Sequence, residues 1–207
     1  TSNNVNYEFP TNLDRVTKFT KNSGAIVFLE YDPKQNTRKV STFGGHFFGG
    51  GNKRSKFNPV TTNYEFESYD IGNNIQNIFS NRNAFAALTV DGKIKSWGEY
   101  SDSTMVGAHD DDYGGKWESN FTSTVKNEID TLSFQEIFST TASFAALAKT
   151  ENNPGLTENR LYVWGNIYHS TTGNVNPVDI NVKNSSNIYL EKVKFVETTS
   201  YSYAVLV

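Results

Sequence analysis

Apolar positions recur along this chain at a constant spacing of 59 residues. Four segments align without gaps, and each ends in leucine: Val16–Leu29, Ile75–Leu88, Phe134–Leu147 and Val193–Leu206. Two further columns keep their apolar character in every copy: Ile26, Phe85, Phe144 and Tyr203, and also Phe19, Ile78, Ile137 and Val196. Because the hydrophobic type is kept at several columns over four copies, the pattern indicates a repeat architecture. It also predicts that Leu29, Leu88, Leu147 and Leu206 are buried at equivalent positions.

The pattern inside each repeat predicts strands. The run 84–90 is short, apolar and without a helical period, which is typical of a strand buried on both faces. Asp91-Gly92 follows it and predicts a tight hairpin. The first and third copies have longer insertions at this point, YDPKQNTRK and KTENNPGLTENR. We expect no amphipathic helix anywhere in the chain.

Each of the first three copies continues into a strand that ends in an aromatic-glycine pair: Phe43-Gly44, Trp97-Gly98 and Trp164-Gly165. We expect Trp97 and Trp164 to lie between sheets, with Phe43 as their counterpart. Glycine pairs follow at 49–50 and 114–115, and NYEF occurs at both 6–9 and 63–66. The predicted unit is therefore a leading strand, an inner strand, a hairpin, an aromatic-glycine strand and a glycine-rich loop.

The lines AFAALTVDGKIKSWG (84–98) and SFAALAKTENNPGLTENRLYVWG (143–165) resemble the repeats of the regulator of chromosome condensation. The resemblance covers about residues 16–207 and is closest to the divergent bacterial and protist form of the repeat. It departs from the chromatin-binding members, which carry Gly and His before the Ala-Leu strand, where this chain has residues such as Asn81 and Thr140. The resemblance is specific for a fold and unspecific for a function.

The resemblance implies an all-β fold of four-stranded β-propeller blades, each about 59 residues long. Residues 1–207 form one repeat region with cores at 16–44, 75–98, 134–165 and 193–207. These make three and a half repeats, which we expect to be part of a larger or multi-chain propeller. The last repeat lacks its aromatic-glycine strand, which would leave Tyr201, Tyr203, Val205 and Leu206 near an unpaired edge. We expect further residues of the same polypeptide or another subunit to cover that edge.

Composition narrows the function. The chain has 207 residues, a net charge of −3 and no cysteine, which excludes disulfides and thiolate metal sites. No apolar stretch reaches the length of a membrane span. The only basic cluster is Lys53, Arg54 and Lys56, so the charge balance disfavours nucleic-acid binding.

The sequence offers little candidate chemistry. His46, His109 and His169 follow aromatic-glycine motifs, but separate blades would keep them too far apart to share a metal. The acidic run Asp110–Asp112 lacks the spacing of a calcium loop. No nucleophile elbow or phosphate loop is present. We therefore predict no catalytic, cofactor-binding or metal-binding residues and no enzyme activity. Glycosylation sequons occur at Asn120 and Asn184 and matter only in a eukaryotic secretory route.

The sequence favours a non-enzymatic module that binds proteins through blade loops and through the uncovered blade edge. A large surface, secreted or particle-forming assembly is the expected setting. Two other classes stay open: a regulator of a GTPase or of chromatin, and an inhibitor that covers an enzyme's active site.

Overall fold

The structure is a computed structural model that describes residue 10 and residues 12–51, 53–58, 63–68, 71–72, 74–101, 113–166 and 189–207. The described residues are mostly β-strand. The strands are β1 (Val16–Lys21), β2 (Ala25–Asp32), β3 (Thr37–Gly44), β4 (Lys53–Asn58), β5 (Asn63–Ser68), β6 (Ile75–Ser80), β7 (Ala84–Thr89), β8 (Ile94–Ser101), β9 (Glu136–Ser139), β10 (Ser143–Ala148), β11 (Arg160–Gly165), β12 (Tyr189–Glu191), β13 (Phe195–Thr198) and β14 (Tyr203–Leu206). The helices are α1 (Ser123–Thr131) and four 3-10 helices, Leu13–Arg15, His46–Phe48, Trp117–Asn120 and Thr150–Asn152.

The strands form four sheets that follow one another along the chain. The first sheet has the order β1-β2-β3, the second β6-β7-β8-β4-β5 and the third β9-β10-β11-β12, and β13-β14 form a C-terminal hairpin. Neighbouring strands are antiparallel except β4 and β8, which pair in parallel. The all-β prediction is confirmed, and the described residues show no closed ring.

The strand registers repeat as the sequence pattern predicts. Phe85 lies opposite Trp97 in the second sheet, and Phe144 lies opposite Trp164 in the third. Both ring pairs stack at 5.5 Å between centroids. The aromatic residue of the inner strand and the aromatic residue of the aromatic-glycine strand therefore form a cross-strand pair in both sheets.

Glycine follows the aromatic residue because the backbone requires it. Gly98 has φ +109°, a conformation that side chains with a Cβ rarely adopt. A Cβ at this position would also lie 2.7 Å from the Cα of Ala84 on the neighbouring strand. Gly44 and Gly165 are equivalent, with φ +129° and +96°.

Two features differ from the predicted unit. The prediction of four-stranded units holds for the third sheet only, since the first sheet has three strands, the second five and the hairpin two. Asn63–Phe66 does not lead into an inner strand but lies in β5, at the outer edge of the second sheet. The strand β4 follows the first sheet along the chain but pairs with β8 of the second sheet. A repeat pattern alone does not show this pairing.

The expectation that the chain has no amphipathic helix is wrong, because α1 buries one apolar face. Thr122 caps α1 by accepting a hydrogen bond from the Val125 N–H at 3.4 Å. Val125 and Ile129 lie one turn apart and are buried in the core between the second and third sheets. Two apolar positions in nine residues give too weak a period to recognise, so packing against the sheets, rather than propensity, stabilises this helix.

Within the part of the chain that the structure describes, no helix has the length and apolar character needed to cross a membrane.

Candidate binding surfaces

The first and second sheets pack face to face. The first contributes Ala25, Val27 and Leu29 from alternate positions of β2, and the second contributes Phe85 and Trp97. All five are buried. We call the side of a sheet that packs on the next sheet along the chain its forward face, and the opposite side its backward face.

The same two faces meet again between the second and third sheets. Ala84, Ala86 and Leu88 lie 59 positions after their counterparts in β2 and share a core cluster with Phe144 and Trp164. Val125 and Ile129 of the helix α1 belong to the same cluster. The sheet-to-sheet interface is therefore itself a repeating unit.

The third sheet and the C-terminal hairpin form the third such interface. Ala145 and Leu147 of the forward face pack with Val196, Tyr203 and Val205 of the hairpin. The hairpin is thus placed as the inner two strands of a further repeat.

The turns that precede the inner strands bind one another through their backbones. The N–H of Ser23 donates to the carbonyl oxygen of Arg82 at 2.9 Å, and the N–H of Arg82 donates to that of Thr141 at 2.9 Å. The N–H of Thr141 then donates to the carbonyl oxygen of Ser200 at 2.7 Å. These four residues are spaced by 59. They form a ladder of hydrogen bonds with one direction, which we call the turn ladder.

One polar column shapes these turns. Its members are Asn22, Asn81, Thr140 and Thr199, again 59 residues apart. In each, the side-chain oxygen accepts hydrogen bonds from the backbone N–H groups two and three residues later. This is the usual role of Asn and Thr in local turns. Asn81 and Thr140, where the chromatin-binding repeats carry other residues, thus have a turn-forming role in this chain.

Glycine loops cover the tryptophans of the following sheet. Gly114 has φ +80°, and its carbonyl oxygen accepts a hydrogen bond from Trp164 Nε1 at 3.1 Å. Gly49 has φ +83° and lies over the Phe85–Trp97 pair, where a Cβ would be 3.0 Å from Trp97 Cδ1. Only a residue without a side chain allows the backbone to approach the rings this closely.

The interface residues change from buried to exposed at the two ends of the array. On the backward face of the first sheet, Phe19 is 66 %, Ile26 37 % and Phe43 43 % exposed. On the forward face of the C-terminal hairpin, Leu206 is 60 % and Phe195 54 % exposed. We call these two surfaces the N-terminal end face and the C-terminal end face.

Two predictions about burial are therefore confirmed in part. Leu29, Leu88 and Leu147 are buried, but the prediction for Leu206 is wrong because no following sheet packs on it among the described residues. Trp97 and Trp164 lie between sheets as predicted. Their counterpart in the first sheet, Phe43, is partly exposed, because none of the described sheets precedes the first one and packs on it.

The hairpin turns lie at the opposite end of the strands from the turn ladder. They span 33–36, 90–93 and 149–159. The prediction of a longer turn is confirmed in the third sheet. It is wrong in the first sheet, whose turn is as short as that of the second, because the added residues extend the pairing of β2 with β3. At this end of the strands, the first two hairpins contact the chain that leads into the next sheet. The N–H of Asn74 donates to the carbonyl oxygen of Arg38 in β3 at 2.7 Å, and the N–H of Phe134 donates to the carbonyl oxygen of Gly92 in the second turn at 2.8 Å. Rigid strands thus present a row of unlike loops at one end of the sheets.

One polar cluster ties α1 to the third sheet. The Arg160 guanidinium pairs with the Glu128 carboxylate of α1 and with Glu191 of β12, at 3.5 Å for the latter. Burial raises the pKa of the neighbouring Tyr162 phenol above its usual value, and the charge of Glu128 raises it further. Burial also raises the pKa of Tyr203, whose hydroxyl lies 2.9 Å from Ser143 Oγ. Such groups stay neutral at physiological pH and serve packing.

Among the histidines and acidic residues considered above as metal ligands, His46 alone lies within the described residues. His46 lies in the 3-10 helix after the first sheet, while His109, His169 and Asp110–Asp112 fall outside the described residues. Among the residues that the structure describes, no group of three His, Cys, Asp or Glu side chains could hold a metal ion.

The remaining candidates lie on separate elements. Lys53, Arg54 and Lys56 belong to β4. Asn120 accepts a hydrogen bond from the Gly165 N–H at 3.1 Å, and the second sequon, at Asn184, lies outside the described ranges. The turn ladder and α1 are the features that sequence reasoning missed. The constant 59-residue spacing of the turns could have predicted that equivalent turns lie side by side and bond to one another.

Comparisons with known proteins support the fold alone. No protein-family model and no curated protein matches the chain. Among solved structures, the crystal structure of human WBSCR16 matches with a TM-score of 0.50 and 11 % sequence identity. The match covers 92 % of this chain and 44 % of WBSCR16, so the chain spans less than half the length of the protein it resembles.

Proposed function

We propose that this chain is a non-enzymatic, protein-binding module built from β-propeller blades like those of the regulator of chromosome condensation. In this proposal the first three sheets are blades and the C-terminal hairpin is the inner half of a fourth. The observation that carries it is the sheet-to-sheet interface, which recurs three times with the same columns and the same turn ladder. The fold likeness to WBSCR16, a protein related to that family, supports the blade assignment.

Protein binding is the function that this geometry supports best. The interfaces between sheets are packed with buried apolar side chains, so the stack is a rigid support. The hairpin turns on it differ in sequence, and the third also differs in length. Variable loops on a rigid scaffold are where proteins usually place recognition. The side chains that bear charge in these turns include Lys34 and Glu151, both exposed.

The test is capture of a partner by the chain, compared with a loop variant. Reversing both exposed charges, Lys34→Glu with Glu151→Lys, should weaken capture of that partner by at least about tenfold, because a recognition contact at the loop end becomes repulsive. Lys95→Glu is the control, since it makes the charge change of Lys34→Glu at an exposed strand position. All three proteins should unfold at the same temperature.

Capture that survives the loop variant unchanged would contradict binding through the hairpin turns. Saturable turnover of a substrate, abolished by one substitution, would contradict the non-enzymatic proposal.

A further inference from the structure

The third hairpin turn, 149–159, is longer than the other two and has a buried polar side chain at its centre. The turn begins with the 3-10 helix Thr150–Asn152. Directly after that helix, Asn153 is only 6 % exposed, although asparagine usually lies at the surface. A buried side-chain amide needs hydrogen-bond partners inside the protein, because burying it without them is costly.

Asn153 has these partners on two segments of the chain. Its Oδ1 accepts a hydrogen bond from the N–H of Ser133 at 2.7 Å, and its Nδ2 donates to the carbonyl oxygen of Ser133 at 2.7 Å. The same Nδ2 donates to the carbonyl oxygen of Lys149 at 2.9 Å. One amide thus pairs with both backbone polar groups of a single residue and ties the middle of the turn to the segment that leads into β9.

A second asparagine closes the base of the turn. Asn159 Oδ1 accepts a hydrogen bond from the N–H of Thr150 at 2.9 Å, and its Nδ2 donates to the carbonyl oxygen of Val193 at 2.9 Å. Between the two asparagines, Leu156 is partly buried and packs against the core between the second and third sheets. The turn is therefore held at its middle and at both ends.

The residues between these anchors face solvent. Five of them are exposed: Glu151, Asn152, Pro154, Gly155 and Thr157. A Cβ built on Gly155 would meet no atom within 4 Å, so the tip of the turn lies in open space. A fixed backbone with an exposed polar tip suits recognition, because the entropy of ordering the loop is lost on folding and not on binding.

From these contacts we infer that Asn153 is a positioning residue, which keeps the third hairpin turn in its binding conformation before a partner arrives. Asn153 is buried and acts on the partner only through the backbone of the turn. When a binding conformation is held by a fraction of the molecules, the apparent affinity falls by that fraction. The inference rests on the proposed function, since it concerns binding through the hairpin turns.

Hydrogen exchange of the whole chain tests the positioning role. Asn153→Ala removes the amide, and Asn127→Ala is the control, because Asn127 is an exposed asparagine on α1. In Asn153→Ala the N–H groups of Thr150 and Leu156, which do not bond to the Asn153 side chain, should exchange at least about tenfold faster, because the turn opens locally. The N–H groups of β10 are the reference within the same molecule and should keep their rates.

A protease that cuts after glutamate probes the same opening at the exposed Glu151. It should cut Asn153→Ala there at least about tenfold faster than the original chain, since cleavage follows the population of the open turn. Asn153→Asp is the second variant. It keeps the size of the side chain and an acceptor for the Ser133 N–H but loses both donated hydrogen bonds, so it separates loss of bonding from loss of packing.

Binding rates give a result that a general loss of stability does not produce. Towards the protein that the chain captures through its hairpin turns, Asn153→Ala should associate at least about tenfold more slowly and dissociate within about twofold of the original rate. The reason is that fewer free molecules hold the binding conformation, whereas the bound turn is the same. Asn127→Ala should bind with the original rates.

Unchanged exchange and cleavage of the turn in both Asn153 variants would overturn the inference. An acceleration that β10 shares equally would overturn it as well, and so would a loss of affinity that lies wholly in the dissociation rate. Intact capture with any of these results would remove the inference and leave the proposed function standing. Absence of capture by the original chain would remove the proposed function and the binding role of the turn, whereas the exchange rates decide by themselves whether Asn153 fixes the turn.

Discussion

The carbonyl oxygen of Gly114 accepts a hydrogen bond from Trp164 Nε1 at 3.1 Å, which brings the backbone of one loop against the ring of the following sheet. The glycine has φ +80°, and a Cβ at this position would lie 2.9 Å from Trp164 Cδ1. The loop thus joins two consecutive sheets at a point where no side chain fits.

Replacing Gly114 with alanine should lower the free energy of unfolding by about 1–3 kcal/mol, because the change adds both backbone strain and a steric clash. Gly155 is the matched control, since a Cβ there meets nothing within 4 Å and its φ is not in the left-handed range. Gly155→Ala should change stability by less than about 0.5 kcal/mol. Reversible denaturant unfolding measures both, and equal effects would show that the loop does not depend on the approach to Trp164.

Replacing Trp97 with alanine should cost about 3–5 kcal/mol, as expected for a large aromatic side chain that is fully buried. It packs on the first sheet and stacks on Phe85, so its loss opens a cavity in the interface between two sheets. A loss below about 1 kcal/mol in the same unfolding experiment would contradict the observed burial.

Two leucines at equivalent repeat positions allow the stability cost of the same substitution to be compared at a buried and an exposed site. Leu88→Ala should cost about 2–5 kcal/mol because the side chain is buried between the second and third sheets. Leu206→Ala should cost less than about 1 kcal/mol in the monomer, since the equivalent side chain is exposed. Unfolding of both variants at low protein concentration tests this, and similar losses would mean that the C-terminal end face is covered in the isolated chain.

The polar column of the turns allows the stability cost of losing a hydrogen-bond acceptor to be compared at a buried and an exposed site. Thr140 is buried and accepts from two backbone N–H groups, as Thr199 does at an exposed turn. Thr140→Ala should cost about 1–3 kcal/mol because it leaves buried donors without an acceptor. Thr199→Ala should cost less than about 1 kcal/mol, since water replaces the lost oxygen. Thr→Ser at either site should retain most of the stability.

Alkaline pH should destabilise the fold through Tyr162. Burial raises the pKa of this phenol in the folded chain above that of the unfolded chain, which is about 10. The folded state therefore holds the proton more tightly, and the stabilisation that is fully present below about pH 10 is lost as the pH rises above it. The unfolding free energy of Tyr162→Phe should therefore decrease less steeply with pH above that value. An unchanged slope of unfolding free energy against pH would contradict the proposed cause.

The sequence alone determined the local and repeating features of this protein. The 59-residue spacing predicted the inner strands, the aromatic-glycine strands and the turn at Asp91-Gly92, because period, small residues and turn chemistry act over short distances. It also predicted the burial of the tryptophans, since aromatic residues retained at a fixed repeat position belong to a core.

The tertiary structure alone decided which neighbours each repeat has. The crossing of β4 to the second sheet and the helix α1 depend on contacts between segments far apart in the sequence, and neither leaves a strong local period. The same holds for Leu88 and Leu206, which are identical in sequence pattern and opposite in burial. Whether a side chain is buried depends on the sheet that packs against it, and only the arrangement of the sheets shows where such a sheet is present.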